Sequence, residues 1–388
     1  MKKERRNKLI YLSYSRIPSQ SANSLQVMQM CHAFAETGMQ VSLYCLRTLQ
    51  NKPAHTYYDL PISHIRLHRI WMPRIKIISR ILYGLRVASS LLIRGTDGIF
   101  YGRDFYTLAL LSLVRVGRLR IYFEAHQPPG DQLEYHLQKM IFNSTSFAGL
   151  ICISQALKDE YLRLYPALLP EKVKVAHDGA RPTDDVTEKK NMSEKQPCSI
   201  GYVGSLQAGK GMELIARLAP LLPEFTFHVV GGQADQLAFW SARCPENVHF
   251  HGHQPSSKAR HLMSSFDILL APYQPSVRVG KKQVEIARWM SPLKIFEYMA
   301  AAKAMVASDL PVLREVLVNG RNALLADPDR PDNWVTAIRQ LATNDAYRQH
   351  LGQQAQLDFK NKYSWRQRAE FLREVFENQA LHQKTSVI

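Results

Sequence analysis

The chain has 388 residues, which at roughly 150 residues per domain predicts two or three domains. Hydrophobic residues make up 46% and charged residues 21%, which excludes a mainly disordered chain and a small disulfide scaffold. Lys and Arg number 50 against 33 Asp and Glu, a net charge of +17, so an anionic partner is expected: nucleic acid, a phosphorylated metabolite or an anionic lipid surface.

In chain order, the basic start Met1–Lys8 precedes an apolar run, Leu9–Leu12, too short for a signal peptide. Leu9–Ser13 reads as a strand and Ser24–Glu36 as a helix closed by Gly38. Further strands are expected at Gln40–Cys45, Gly98–Tyr101, Leu119–Glu124 and Gly149–Ile153, with helices at Ile75–Ile93, Phe105–Val116 and Leu133–Asn143. Around Gly179–Pro197 the pattern stops in a polar stretch, the best linker candidate. It restarts with strands at Ser199–Val203, Thr226–Val230, Val248–Phe250, Ile268–Ala271, Ala304–Ala307 and Ala323–Leu325. Helices are expected at Gly211–Leu222, Ser256–Ser264 and Pro292–Ala301. Such alternation predicts two parallel α/β units with a cleft between them, and ligands outside the carboxyl ends of the strands.

The basic excess is uneven: residues 66–120 hold 11 basic and 2 acidic residues. Within them Ile78, Ile81, Leu82, Leu85 and Leu92 recur at helical spacing, punctuated by Arg74, Lys76, Arg80, Arg86 and Arg94 and preceded by Trp71. A basic amphipathic segment with an aromatic at its end fits an anionic membrane surface; the alternative is a core-packed helix with a solvated basic face. No stretch reaches ~18 uninterrupted apolar residues, so no spanning helix is expected. Five scattered cysteines without a CxxC pair read as reduced, buried thiols of a cytosolic protein, which leaves the sequons at Asn143 and Asn191 without meaning.

Gly204-Ser-Leu-Gln-Ala-Gly209-Lys210-Gly211 follows a strand and opens a helix. It is one residue from a P-loop, with Gly211 where a magnesium-binding hydroxyl belongs, so a nucleoside triphosphatase is not expected. Small residues still let backbone N–H groups approach a phosphate, and Lys210 adds charge. In Ser291-Pro292-Leu-Lys294-Ile-Phe-Glu297, Ser291 is a good N-cap and Pro292 suits the first helical position. Glu297 and Lys294, three apart, share a face. His126 follows a strand end into a Pro/Gly loop, with Glu124 the neighbouring alternative. Asp327-Pro-Asp329 matches a metal-binding DxD pattern but lies in a turn with nothing else acidic around it, so it reads as a turn only.

Six runs, Gly201–Met212, Phe227–Gly232, Val248–Gly252, Phe266–Pro272, Ser291–Ala300 and Met305–Glu315, stand in the order found in one family. The chain resembles the retaining glycosyltransferases of the GT-B fold, family 4. The first half is compatible through Ser21-Ala-Asn-Ser24, His126, Ile153-Ser154 and His177-Asp-Gly179, and Tyr363-Ser-Trp365 resembles the entry to the family's last helix. The resemblance implies two Rossmann-like domains: an acceptor side at 1–183, a linker at 184–197, a nucleotide-sugar side at 198–364, and a helix at about 365–388 packing back on the first. It implies donor binding by Gly204, Ser205, Gly209, Lys210, Met290, Ser291, Pro292, Leu293, Lys294 and Glu297. It places Ser21, Asn23 and Ser24 on the acceptor side and gives His126, Lys210 and Glu297 catalytic roles. No metal or other cofactor is implied, since the nucleotide-sugar is a substrate. The expected acceptor is lipid-linked or a glycan, at the inner face of a membrane.

Two positions depart from the family pattern. Trp289 stands eight before Glu297, where a second glutamate belongs, and Glu285 is off register; Ser205 stands where an arginine belongs. Diphosphate neutralisation then leans on Lys210, with Lys294 as helper. The alternatives are a GT-B nucleotide-sugar epimerase, against which the missing glutamate argues, and a nucleic-acid-binding protein, against which the lack of any aromatic-interleaved basic motif argues.

Overall fold

The computed structural model describes residues 7–50, 52–61, 64–73, 76–94, 98–114, 119–183, 198–279 and 284–385. The chain forms two compact units, Met1–His177 with Trp365–Ile388, and Asp178–Ser364. The expected linker at 184–197, Arg74, and Asn191 with its sequon lie outside the described residues.

Unit one carries seven parallel strands: β1 (Lys8–Arg16), β2 (Gln40–Leu46), β3 (Arg66–Ile70), β4 (Ile99–Gly102), β5 (Arg120–Ala125), β6 (Phe147–Cys152) and β7 (Val173–Val175). Their order is β3-β2-β1-β4-β5-β6-β7. The helices between them are α1 (Ala22–Glu36), α2 (Ala54–Tyr57), α3 (Lys76–Arg94), α4 (Phe105–Ser112), α5 (Gln132–Phe142) and α6 (Gln155–Leu164). Leu9–Leu12 of β1 and all of β6 are buried, as strands covered on both faces require, hence their unbroken apolar runs. Ser21 caps α1 by accepting from Ser24 N, and Gly38, at φ +83°, turns the chain out of it. The strand order reverses at β1/β4, so the carboxyl ends of those strands form the switch point where open α/β sheets take ligands. The last helix, Trp365–Thr385, packs along α1 in this unit, with the Phe376 ring 4.5 Å from that of Tyr122 and 5.6 Å from that of Tyr101.

Unit two repeats the plan with β8 (Ser199–Val203), β9 (Thr226–Val230), β10 (Val248–Gly252) and β11 (Ile268–Ala271), then a short antiparallel pair, β12 (Arg278–Val279) and β13 (Val284–Glu285), then β14 (Ala304–Ser308) and β15 (Leu324–Ala326). The parallel order is β10-β9-β8-β11-β14-β15, with its switch point at β8/β11. Its helices are α7 (Met212–Leu218), α8 (Ala234–Ser241), α9 (Ser256–Ser265), α10 (Leu293–Ala300), α11 (Pro331–Thr343) and α12 (Asp345–Asp358). Trp334, fully buried, anchors α11 in a core with Ile215, Leu270 and Val306.

Several elements differ from the sequence reading. The helix expected at 211–222 ends at Leu218 and tightens into a 3₁₀ turn, because Pro220 offers no N–H to continue it. The helix expected from Pro292 begins at Leu293, since Ser291 Oγ accepts instead from Asp178 N at 2.8 Å. Strand β3 was not read at all: its Arg-Leu-His-Arg-Ile pattern is that of a polar edge strand. None of the five cysteines is in a disulfide among the described residues, but only Cys31, Cys45 and Cys152 are buried; Cys198 and Cys244 are half-buried against the second core.

Candidate functional site

In unit two the loop after β8 is shaped by glycines at positions with no room for a Cβ. Gly231, at φ +128°, would place a Cβ 1.9 Å from the Gly204 carbonyl oxygen, and Gly209, at φ +79°, one 2.1 Å from that of Ser276. The Tyr202 hydroxyl lies within hydrogen-bond distance of the Ser205 (2.7 Å) and Lys210 (3.0 Å) carbonyls and closes the loop. Ser205 is exposed and turned to its own loop, where its Oγ accepts from Gln207 N.

Lys294, in the first turn of α10, is 6% exposed and packs against Gly204. Among the described residues its Nζ has no hydrogen-bond partner, and it sits 3.6 Å from the Tyr202 ring centroid and 4.9 Å from that of Tyr273. Burial, then the Lys210 charge, hold this amine well below the ordinary lysine range, with Glu297 pulling the other way. Burial also lowers Lys210, which is half-buried. Burial pushes the Glu297 carboxyl up, against the lowering influence of Arg260 and Lys294. Gly204, Gly209, Lys210, Lys294 and Glu297 therefore gather at the β8/β11 switch point. Met290, buried, and Pro292 shape the entry to α10 through Met290 N to Ile286 O and Ile295 N to Pro292 O; Leu293 is half-buried. Ser291 serves Asp178. Glu285 accepts from Ser276 Oγ, Val277 N and Ala287 N, so its carboxylate ties its own hairpin. Asp327 accepts from Asp329 N, as a turn residue does.

Unit one holds a cavity of about 250 Å³ at its own switch point. It is lined by Ser13 and Tyr14 from the end of β1, Arg103 and Asp104 after β4, Glu124 and His126 at the end of β5, and Asn23 from α1. Glu124, 1% exposed, is its hub: Oε2 accepts from Tyr11 (2.8 Å), and Oε1 accepts from Gln26 (2.9 Å), His126 Nε2 (2.9 Å) and Arg368 (3.1 Å). Burial would push this carboxyl up, but Arg368, His126 and Arg103 outweigh it and hold it well below the usual range. An ionised carboxylate only accepts, so the His126 Nε2 carries the proton. Of the three expected acceptor-side residues only Asn23 lines the cavity, bonded to Arg103 and Ser15; Ser21 and the buried Ser24 build the turn into α1.

Arg80 was expected on a basic face of α3. It turns inward instead and lines this cavity, its guanidinium over the Tyr14 and Tyr106 rings. The outward side of α3 is apolar: Ile78, Ile81, Leu82, Leu85, Leu92 and Ile93 are all at least 43% exposed. Arg86 is exposed among them and bonds the Trp71 carbonyl. No helix among the described residues is long and apolar enough to cross a membrane.

Two Rossmann-like units of this topology define a GT-B protein. The HepE protein of Anabaena, solved with UDP and glucose, has this fold: it is 14% identical, with a TM-score of 0.70 over 95% of this chain and 99% of that one. Residues 197–344 match the family model described as glycosyl transferases group 1. That match is confined to the second unit and agrees with the resemblance to the GT-B glycosyltransferases drawn from the sequence. The alpha-maltose-1-phosphate synthase of Mycolicibacterium smegmatis is 23% identical over 53% of this chain and 61% of its own length. The phosphatidyl-myo-inositol mannosyltransferase of Mycobacterium tuberculosis is 27% identical over 44% of each. The chain thus matches only 44–61% of the length of these curated relatives.

Proposed function

We propose that the protein is a retaining glycosyltransferase that moves a hexose-type sugar from a nucleotide-sugar to a lipid-linked or polysaccharide acceptor at the cytoplasmic face of a membrane. The observation that carries this reading is the pairing of Lys210 and Lys294 at the Gly204 turn, with Glu297 one helical turn on. A buried amine without an acceptor among the described residues is a ready partner for a diphosphate oxygen. In this reading Lys294 takes the place of the absent arginine at position 205. As the glycosidic bond to the nucleotide breaks, charge grows on the diphosphate, and preorganised amines and backbone N–H groups stabilise it. This assigns the leaving group to the chain itself rather than to a metal. Glu297 is assigned to the donor's hydroxyls, and His126, oriented by Glu124, to a hydroxyl of the reacting sugars.

Membrane association rests on the exposed apolar stripe of α3, with Arg86 among it and Trp71 before it. The mannosyltransferase relative, named for a phosphatidylinositol, and HepE, solved with UDP and glucose, support lipid acceptors and UDP-sugars as the first to test. A thermal-shift screen against UDP-, GDP- and ADP-sugars, followed by turnover assays, tests the reading. Stabilisation by one nucleotide is expected, lost in Lys210→Ala and Glu297→Ala variants that still melt cooperatively. A flat screen, or normal turnover in both variants, overturns it.

A further inference from the structure

The unit-one cavity contains two guanidinium groups whose donors are largely unused. Arg80 is held over the Tyr14 and Tyr106 rings at 5.3 and 5.4 Å and makes no hydrogen bond or ion pair among the described residues. Ring contacts engage the face of a guanidinium and leave its N–H edge available. Arg103 uses Nη1 on Asn23 and Gln26, while its Nε and Nη2 make no bond among the described residues.

The carboxylates around the cavity feel these charges, Asp104 that of Arg80 and Glu124 that of Arg103, but no hydrogen bond joins them among the described residues. Glu124 already accepts four hydrogen bonds. Asp104 is buried and takes the Thr107 hydroxyl, and Glu134 binds Gly130 N. Two planar forks with free donors in one concave site match a phosphate or a carboxylate, which a fork can bind through two parallel hydrogen bonds. At about 250 Å³ the cavity suits a group of sugar size rather than a larger ligand.

We propose that this cavity recognises an acceptor sugar that carries an oxyanion, a phosphate or a carboxylate, held between the edges of Arg80 and Arg103. Calling the ligand the acceptor rests on the glycosyltransferase reading; the anion site itself does not. Neutral sugars of the same size are then selected against, because they leave both forks unpaired.

The test uses the full chain and three probes on one ring: glucose 6-phosphate, glucuronate and glucose, titrated calorimetrically. At least one anionic probe is expected to bind tenfold or more tightly than glucose, and the better of the two identifies the oxyanion. Arg80→Lys keeps the charge over the two rings but removes the fork, and is expected to weaken that probe by tenfold or more. Arg80→Gln is expected to weaken it further. Lys210→Ala is the control for anions that bind in unit two and should leave the affinity unchanged. Equal binding of glucose, absence of binding by both anions, or a loss in Lys210→Ala but not in Arg80→Lys overturns the proposal. If Arg80→Gln fails to melt cooperatively, Arg80→Lys decides alone. Failure of every nucleotide-sugar to support transfer would overturn the glycosyltransferase reading and leave this binding result standing.

Discussion

Replacing Lys294 by Met sets folding stability and donor binding in opposite directions. The Lys294 amine is buried without a hydrogen-bond acceptor among the described residues, a state that costs about 1–3 kcal/mol. While the amine is protonated, the Tyr202 and Tyr273 rings return roughly 0.5–2 kcal/mol of this. Met keeps the unbranched stem and deletes the amine, so unit two should gain about 1 kcal/mol, a rise of about 2–4 °C in its melting temperature for a unit of this size. The same change removes a charged hydrogen bond to the diphosphate worth about 1.5–3 kcal/mol, which is about a 10- to 150-fold loss of nucleotide affinity.

The sign also depends on pH. Burial and the Lys210 charge depress the folded-state pKa of Lys294, so the unfolded chain binds a proton that the folded unit lacks. Stability of the parent chain therefore rises with pH from that depressed value up to the unfolded lysine value near about 10.4. The Met variant loses this slope, and its advantage shrinks as pH rises. Differential scanning calorimetry at several pH values and titration with the nucleotide found by screening read both effects. A fall in melting temperature of several degrees together with unchanged nucleotide affinity would refute the reasoning.

Nucleotide binding should take up protons, since a diphosphate favours the charged form of two lysines that burial disfavours. Titrations in buffers of different ionisation enthalpy should show it, with affinity falling as pH rises; identical heats would contradict it. Glu124→Gln leaves Arg368 buried without its counter-charge, and should destabilise unit one by about 3–5 kcal/mol in chemical denaturation. Because the Glu124 pKa is depressed, its contribution is present above the unfolded carboxylate value near about 4.3 and is lost as pH falls through the folded value. Gly231→Ala drives a Cβ into the Gly204 carbonyl, and a loss of about 2 kcal/mol or more in stability, with weakened nucleotide binding, is expected. Ile81→Glu with Leu85→Glu should abolish sedimentation with anionic vesicles while shifting the melting temperature by no more than about 2 °C, because both side chains are exposed. Unchanged sedimentation would remove the membrane claim.

The second unit was legible because its chemistry lies in contiguous segments. The Gly204–Gly211 loop and the Ser291–Glu297 run each carry their glycines, lysines and carboxylate within a few residues, and apolar strands bounded by turns announce the sheet. The first unit hid its site because that site is assembled by topology. Arg80, the adjacent Arg103 and Asp104, and Glu124 lie about twenty residues or more apart in the sequence, and the reversal of strand order at β1/β4 brings them to one cavity. Arg80 was misread for the same reason: helical spacing tells which residues share a face but not what covers that face. Ser291 shows the limit of local capping rules, since a backbone N–H more than a hundred residues away claims its hydroxyl.

The return of the last helix to the first unit has a consequence for biosynthesis. Arg368 supplies one of the four hydrogen bonds on Glu124, and Phe376 closes the aromatic cluster over Tyr101 and Tyr122. Both are made at the ribosome after all of unit two. The unit that begins first is therefore completed last, and until then its buried carboxylate lacks its strongest counter-ion. The second unit can mature while the first waits. A nascent chain arrested before residue 365 should show a protease-resistant second unit and a susceptible first one.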